Sequence, residues 1–153
     1  MKTSISFLLI LVFTACSTLQ QQEITKESLV KIGQGNLHGV GDEKLRAQQK
    51  MIDSAEEWQK MKRKLDAVNP TTKNFKNLPV NFQHEMVLVL ISDLKSSGGH
   101  SIIIEKIEET QKQIEIVYRE KSPDGIATTV MTQPFFVAKT PKTNKKVRFI
   151  KLN

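Results

Sequence analysis

Three histidines, one cysteine and a scatter of glutamates are the residues of this 153-residue chain that could do chemistry at neutral pH. His38, His84 and His100 share no spacing that would place two imidazoles on one helix face, and although Glu85 follows His84, Leu88 stands where the second histidine of a metalloprotease motif would be. Ser101 adjoins His100, but neighbouring strand residues point to opposite faces, so the two form no nucleophile–base pair. Glu105, Glu108, Glu109 and Glu115 could supply an acid–base couple. They lie instead on alternating segments among lysines, as solvated strand faces do. Gly33, Gly35, Gly39 and Gly41 are spaced like a phosphate loop without its Lys-Ser/Thr, and their segment reads as a short strand followed by a glycine-permitted turn. These patterns predict no catalytic site, no metal site and no cofactor. The expected class is a non-enzyme.

Cys16 carries the strongest chemical signal. It follows an apolar run, Ile5 to Phe13, which starts just after Lys2 and is too short to span a bilayer. Thr14-Ala15-Cys16 then supplies small residues at the point of cleavage, and the segment resembles the bacterial lipoprotein signal. That resemblance implies removal of residues 1–15 and acylation of Cys16. Each buried methylene contributes about 0.8 kcal/mol, so several acyl chains hold a protein on a membrane almost irreversibly. The expected location is the cell envelope, on the periplasmic face of the outer membrane. With its single thiol consumed, the chain can build no disulfide, no cysteine nucleophile and no cysteine-based zinc site.

Past the signal, residues 16–28 read as a polar tether and residues 29–153 as one domain of a size that buries a real core. The net charge of +7 falls by one on cleavage, since Lys2 is the only charge lost. An envelope protein does not meet chromosomal DNA, so nucleic acid is not an expected partner; acidic protein faces and anionic headgroups are the available counterparts. Lys139, Lys142, Lys145, Lys146, Arg148 and Lys151 crowd the last segment without an acid. They predict either a lysine-protected edge strand or an electrostatic docking strip.

The elements that must position these residues can be read from periodicity. "DSAEEWQKMKRKLD" predicts a capped helix at about 54–66, with Ser54 and Glu57 as a reciprocal capping box and Ala55, Trp58, Met61 and Leu65 on one face. "EMVLVLI" (85–91) is continuously apolar, as a strand buried on both faces would be. "HSIIIEKIEE" (100–109) and "QIEIVYRE" (113–120) follow across a short polar link. In the second, Ile114, Ile116 and Tyr118 alternate with Glu115, Val117 and Arg119. Ser122-Pro123-Asp124-Gly125 is a turn. "TTVMTQPFFVAKTP" is a strand interrupted by Pro134, which predicts an edge or a bulge, and "KKVRFIKL" closes the chain. The expected fold is α+β: an antiparallel, β-meander-rich single domain with one helix packed on the sheet.

Three segments occur in an informative order: "NLHGVGDEKLRAQQKMIDSAEEWQKM", "EMVLVLISDLKSSGGHSIIIEKIEET" and "VMTQPFFVAKTPKTNK". The chain resembles the PrcB family of bacterial protease-complex subunits over roughly residues 29–145. The likeness rests on the tryptophan of a capped helix (Trp58), a Gly-Gly-aromatic turn before an isoleucine-rich strand (Gly98, Gly99, with His100 in the aromatic place) and a Gln-Pro-aromatic element (Gln133, Pro134, Phe135). It implies a small non-catalytic domain that stabilises an envelope protease complex. Gly98, Gly99, His100, Gln133, Pro134 and Phe135 read either as a tight turn and core packing or, functionally, as one rim with an extended-edge binding site for a partner segment. A second likeness uses some of the same residues. "NPTT" (69–72), "SGGH" (97–100) and "QPF" (133–135) resemble the three loops of chagasin-type cysteine-protease inhibitors, with Lys73 and Gln133 departing from that pattern. An envelope-ligand or lipid-binding module is the third alternative.

Overall fold

The computed structural model describes residues 23–153. The predicted signal, Cys16 and the first part of the tether lie outside the described residues. Seven strands and one α-helix follow in the order β1 (Val30–Leu37), β2 (Gln48–Ile52), α1 (Ala55–Leu65), β3 (Glu85–Ile91), β4 (Ser101–Glu109), β5 (Gln113–Lys121), β6 (Gln133–Pro141) and β7 (Lys146–Leu152), with a 3-10 turn at Thr71–Asn74. They form three layers. The helix covers one face of a four-stranded antiparallel sheet, ordered β1-β6-β3-β2, and a three-stranded sheet, β4-β5-β7, covers the other. The α+β single domain with its one helix is as the sequence predicts.

The pairing also shows what periodicity could not. β4 and β5 are a hairpin, but β6 returns to the first sheet and β7 to the second, where β5 and β7 run parallel. Strand alternation fixes which face is wet and says nothing about which strand lies alongside. β6 is not an edge strand, contrary to the expectation from Pro134: it lies between β1 and β3, and Gln133 to Ala138 are all buried. β3, its neighbour, is buried from Met86 to Ile91, which explains its unbroken apolar run.

Two cores result. Between the sheets, Leu88, Leu90, Phe136 and Ala138 meet Ile102, Ile104, Ile114, Ile116 and Tyr118. Beneath the helix, Trp58, Met61 and Leu65 pack on Val87, Val89, Ile91, Phe135 and Val137. Each fully buried Leu, Ile or Val stabilises by roughly 1.5–3 kcal/mol against exposure. Ser54 caps α1 by accepting from the Glu57 N–H at 3.4 Å, but the box is not reciprocal. The Glu57 carboxylate pairs with Lys50 at 3.0 Å instead, and Ala55 is exposed.

Of the expected tether, residues 23–28 are described, and they are held against the second sheet. Ile24 is buried in the inter-sheet core, and its N–H donates to Glu109 Oε2 at 2.6 Å. Glu109 also pairs with Lys145 at 2.7 Å. Burial alone would raise the Glu109 carboxyl pKa; these two donors outweigh it and hold it below the usual value. The lysine-rich terminal strip follows the same rule. Lys139, Lys145, Arg148 and Lys151 meet Glu85, Glu109, Glu115 and Glu120, and Lys142 donates to the Phe82 carbonyl. β7 is a protected edge strand whose cations are largely spent on its neighbours.

Candidate functional site

Gln133 and Pro134 begin β6 where the sheet needs help. Proline has no N–H, and Pro134 O accepts from Ser92 N–H at 2.9 Å, so its nitrogen faces the Ser92 carbonyl without a hydrogen to offer. The Gln133 side chain supplies the missing donor. Its Nε2 donates to Ser92 O at 2.9 Å and to Leu45 O at 2.8 Å, both buried. Phe135 lies deeper, tilted against Phe75 with ring centroids 5.9 Å apart, while Phe75 stacks on Trp58 at 6.3 Å. Gly33 makes that stack possible, because a Cβ there would sit 2.4 Å from the Phe75 ring. Gly33 and Gly35 of β1 are thus a platform for aromatic rings, while Gly39 and Gly41 lie in the turn beyond it.

The Gly98-Gly99-His100 turn stands above this end of β6. Gly99 has φ +82° and faces Pro123, and Gly98 is buried beneath the 122–132 loop, donating to Thr128 O at 3.0 Å. Lys95 and Thr132 exchange main-chain hydrogen bonds at 2.7 and 3.0 Å, and Thr132 Oγ1 donates to Ser97 O at 2.7 Å. The Asn36 Nδ2 donates to His100 O at 3.1 Å, while Asn36 pairs with Pro134 across β1 and β6. All six predicted partner-binding residues therefore gather at one end of the molecule. Their exposure differs: Gly99 is exposed and His100 half-buried, whereas Gln133, Pro134 and Phe135 lie beneath and hold the rim in place. Gln133–Phe135 sit inside a central strand and do not project as an inhibitor loop would.

Sequence reasoning missed the residues that the rim displays. Val40, Leu94, Val130 and Met131 are large, apolar and exposed. Leu94 lies 3.7 Å from where a Gly41 Cβ would stand, Val130 lies against Gly98, and Leu94 and Met131 flank the Lys95–Thr132 bridge. Val40 adopts φ +56°, a left-handed conformation rare for a β-branched residue. No periodicity marks such residues, because they come from three separate loops.

Beside the rim lies a cleft of about 340 Å³, lined by Gly35, Asn36, His38, Asn69 to Thr71, Asn74, Phe75 and Phe135. Its floor is aromatic and its walls carry carboxamides, the Thr71 hydroxyl and the His38 imidazole. Asn36 Oδ1 is buried with no partner among the described residues. A hollow of about 570 Å³ lies at the opposite end, but its charges are consumed. There Lys139 pairs with Glu85 at 2.7 Å and also donates to Pro79 O.

Ser97 Oγ lies 2.9 Å from His100 Nε2, a pairing invisible in sequence, where Ser101 was the adjacent serine. No carboxylate hydrogen-bonds this imidazole among the described residues, so the pair pins the turn and falls short of an oriented nucleophile. Glu105 pairs with Arg119, Glu108 with Lys106 and Glu115 with Arg148. Among the described residues no three His, Cys, Asp or Glu side chains gather as a metal site would require.

The fold is a two-sheet body with a helix on one side, and three of its loops assemble an apolar rim. Residues 86–141, which include all but the first residue of β3, the rim turn and β6, match the family model described as PrcB C-terminal, in agreement with the resemblance read from the sequence. The family's name points to a protease-complex-associated subunit. Comparison with curated proteins and with solved structures gave no match.

Proposed function

We propose that this protein is a non-catalytic binding module of the bacterial cell envelope, held there by a lipid on Cys16 and assisting an envelope protease complex. One observation carries the reading. The segment matching PrcB C-terminal supplies two of the three loops of the rim, and these expose Leu94, Val130 and Met131 beside Gly99 and His100. Exposed clustered apolar side chains ringed by polar groups are what protein partners cover. The inhibitor reading is weaker, since Gln133–Phe135 are buried in β6.

Capture from envelope extract tests the proposal. The full chain is expected to recover a protease-complex component, and Leu94→Asp with Met131→Asp to lose it while keeping its circular dichroism spectrum. Recovery of no protein by the unaltered chain overturns the reading. In the same cells Cys16→Ser is expected to release the protein from the membrane fraction, and retention there removes the anchor.

A further inference from the structure

β1 is the wall of the cleft and also an edge strand of its sheet. Because Pro134 directs its main-chain groups toward β3, alternation turns those of Phe135 toward β1. Phe135 lies opposite Gly35, so Gly35 faces inward, and the N–H and C=O groups of Gln34 and Asn36 face outward. They meet no main-chain partner among the described residues. Just along the strand, at the Ile32 bulge, an outer partner does exist: Lys76 N–H donates to Ile32 O at 2.9 Å. The outer ladder is started by Lys76 and left open alongside the cleft. Gly35 contributes no side chain there, so an incoming chain can reach both the backbone and the rings of Phe75 and Phe135.

Charge narrows the occupant. No carboxylate lines the cleft. Lys73, between the lining residues Thr71 and Asn74, is exposed, as is Lys76, and neither is in an ion pair among the described residues. We propose that the outer edge of β1 at Gln34–Asn36 takes up an extended acidic segment of a partner protein as an added strand, with an apolar side chain of that segment entering the cleft. This rests on the protein-binding reading above and names the kind of segment recognised.

The test uses the full chain, isotope-labelled, with two capped heptapeptides: Val-Phe-Val flanked by glutamates, and the same core flanked by lysines. The glutamate peptide is expected to shift the amide resonances of Gln34, Asn36 and Lys76. Its affinity should fall about tenfold on Lys73→Glu with Lys76→Glu and weaken with added salt. Gln34→Pro removes an outward N–H without touching the ladder to β6, and should abolish binding. Should that variant not fold, the charge-reversed one still decides. Equal binding of the lysine peptide, shifts confined to other residues, or silence from both peptides at millimolar concentration overturns the inference. So does a chitooligosaccharide that shifts the same amides when neither peptide does. Capture of a protease component undiminished by Lys73→Glu with Lys76→Glu would remove this inference and leave the protein-binding reading standing.

Discussion

At Ser92 the central sheet has a carbonyl facing a proline nitrogen, and Gln133 is the residue that answers it. Its carboxamide bridges Ser92 O and Leu45 O, joining the end of β3 to the segment before β2. Gln133→Ala would leave two buried carbonyls unsatisfied, at a cost of about 2–4 kcal/mol in chemical denaturation. Pro134→Ala restores an N–H aimed at Ser92 O. Gln133→Ala should therefore cost less in the Pro134→Ala background, by about 1 kcal/mol in a double-mutant cycle. Strict additivity would show that the side chain does not stand in for the missing donor. The Gln-Pro dipeptide was legible as a motif, but its meaning was not. A proline in a strand reads as an edge, and only the pairing of β6 on both sides shows that a side chain can make a proline tolerable inside a sheet.

Among the elements, a largely buried carboxylate clamps the 92–100 loop to the middle strand of the second sheet. Glu120 of β5 meets Lys95 at 2.6 Å and Lys151 of β7 at 2.7 Å, and only 13% of its side chain is exposed. Burial alone would raise its pKa, but the hydrogen bonds from Lys151 and Lys95 outweigh that and hold it at about 2. The folded value lies below the unfolded one of about 4.3. The stability this carboxylate contributes is therefore complete above about pH 4.5 and is lost as pH falls toward 2. Glu120→Gln should cost about 1–2 kcal/mol at pH 7. The gap between the two proteins should close on acidification from pH 5 to 2, followed by urea denaturation. A gap independent of pH would contradict the clamp. Much at this scale was legible. The 54–66 helix, the buried 85–91 run and the alternation of Ile114, Ile116 and Tyr118 each have a period that the structure reproduces. β2 carried no signal, being mostly polar with only Ile52 fully buried, and the parallel pairing of β5 with β7 has no local signature. Phe75, half-buried in the loop after α1, carries no local signal because its packing depends on Gly33, more than forty positions away in the chain.

Across the whole molecule the two ends differ. β1 runs away from the docked residues 23–28 and reaches the rim at Leu37, while β4 runs back from His100 at the rim to Glu109, which holds Ile24. The amino-terminal segment therefore enters at the end opposite the rim. Under the anchor proposed at Cys16, this polarity would leave the rim at the end of the domain remote from the attached segment. A photo-crosslinking amino acid placed at Leu94 on the rim, or at Lys112 in the far hairpin, tests this directly in intact cells. The account predicts that position 94 forms a covalent adduct with a component of a protease complex and that position 112 does not. Adducts from position 112 alone, or from neither position, would contradict it.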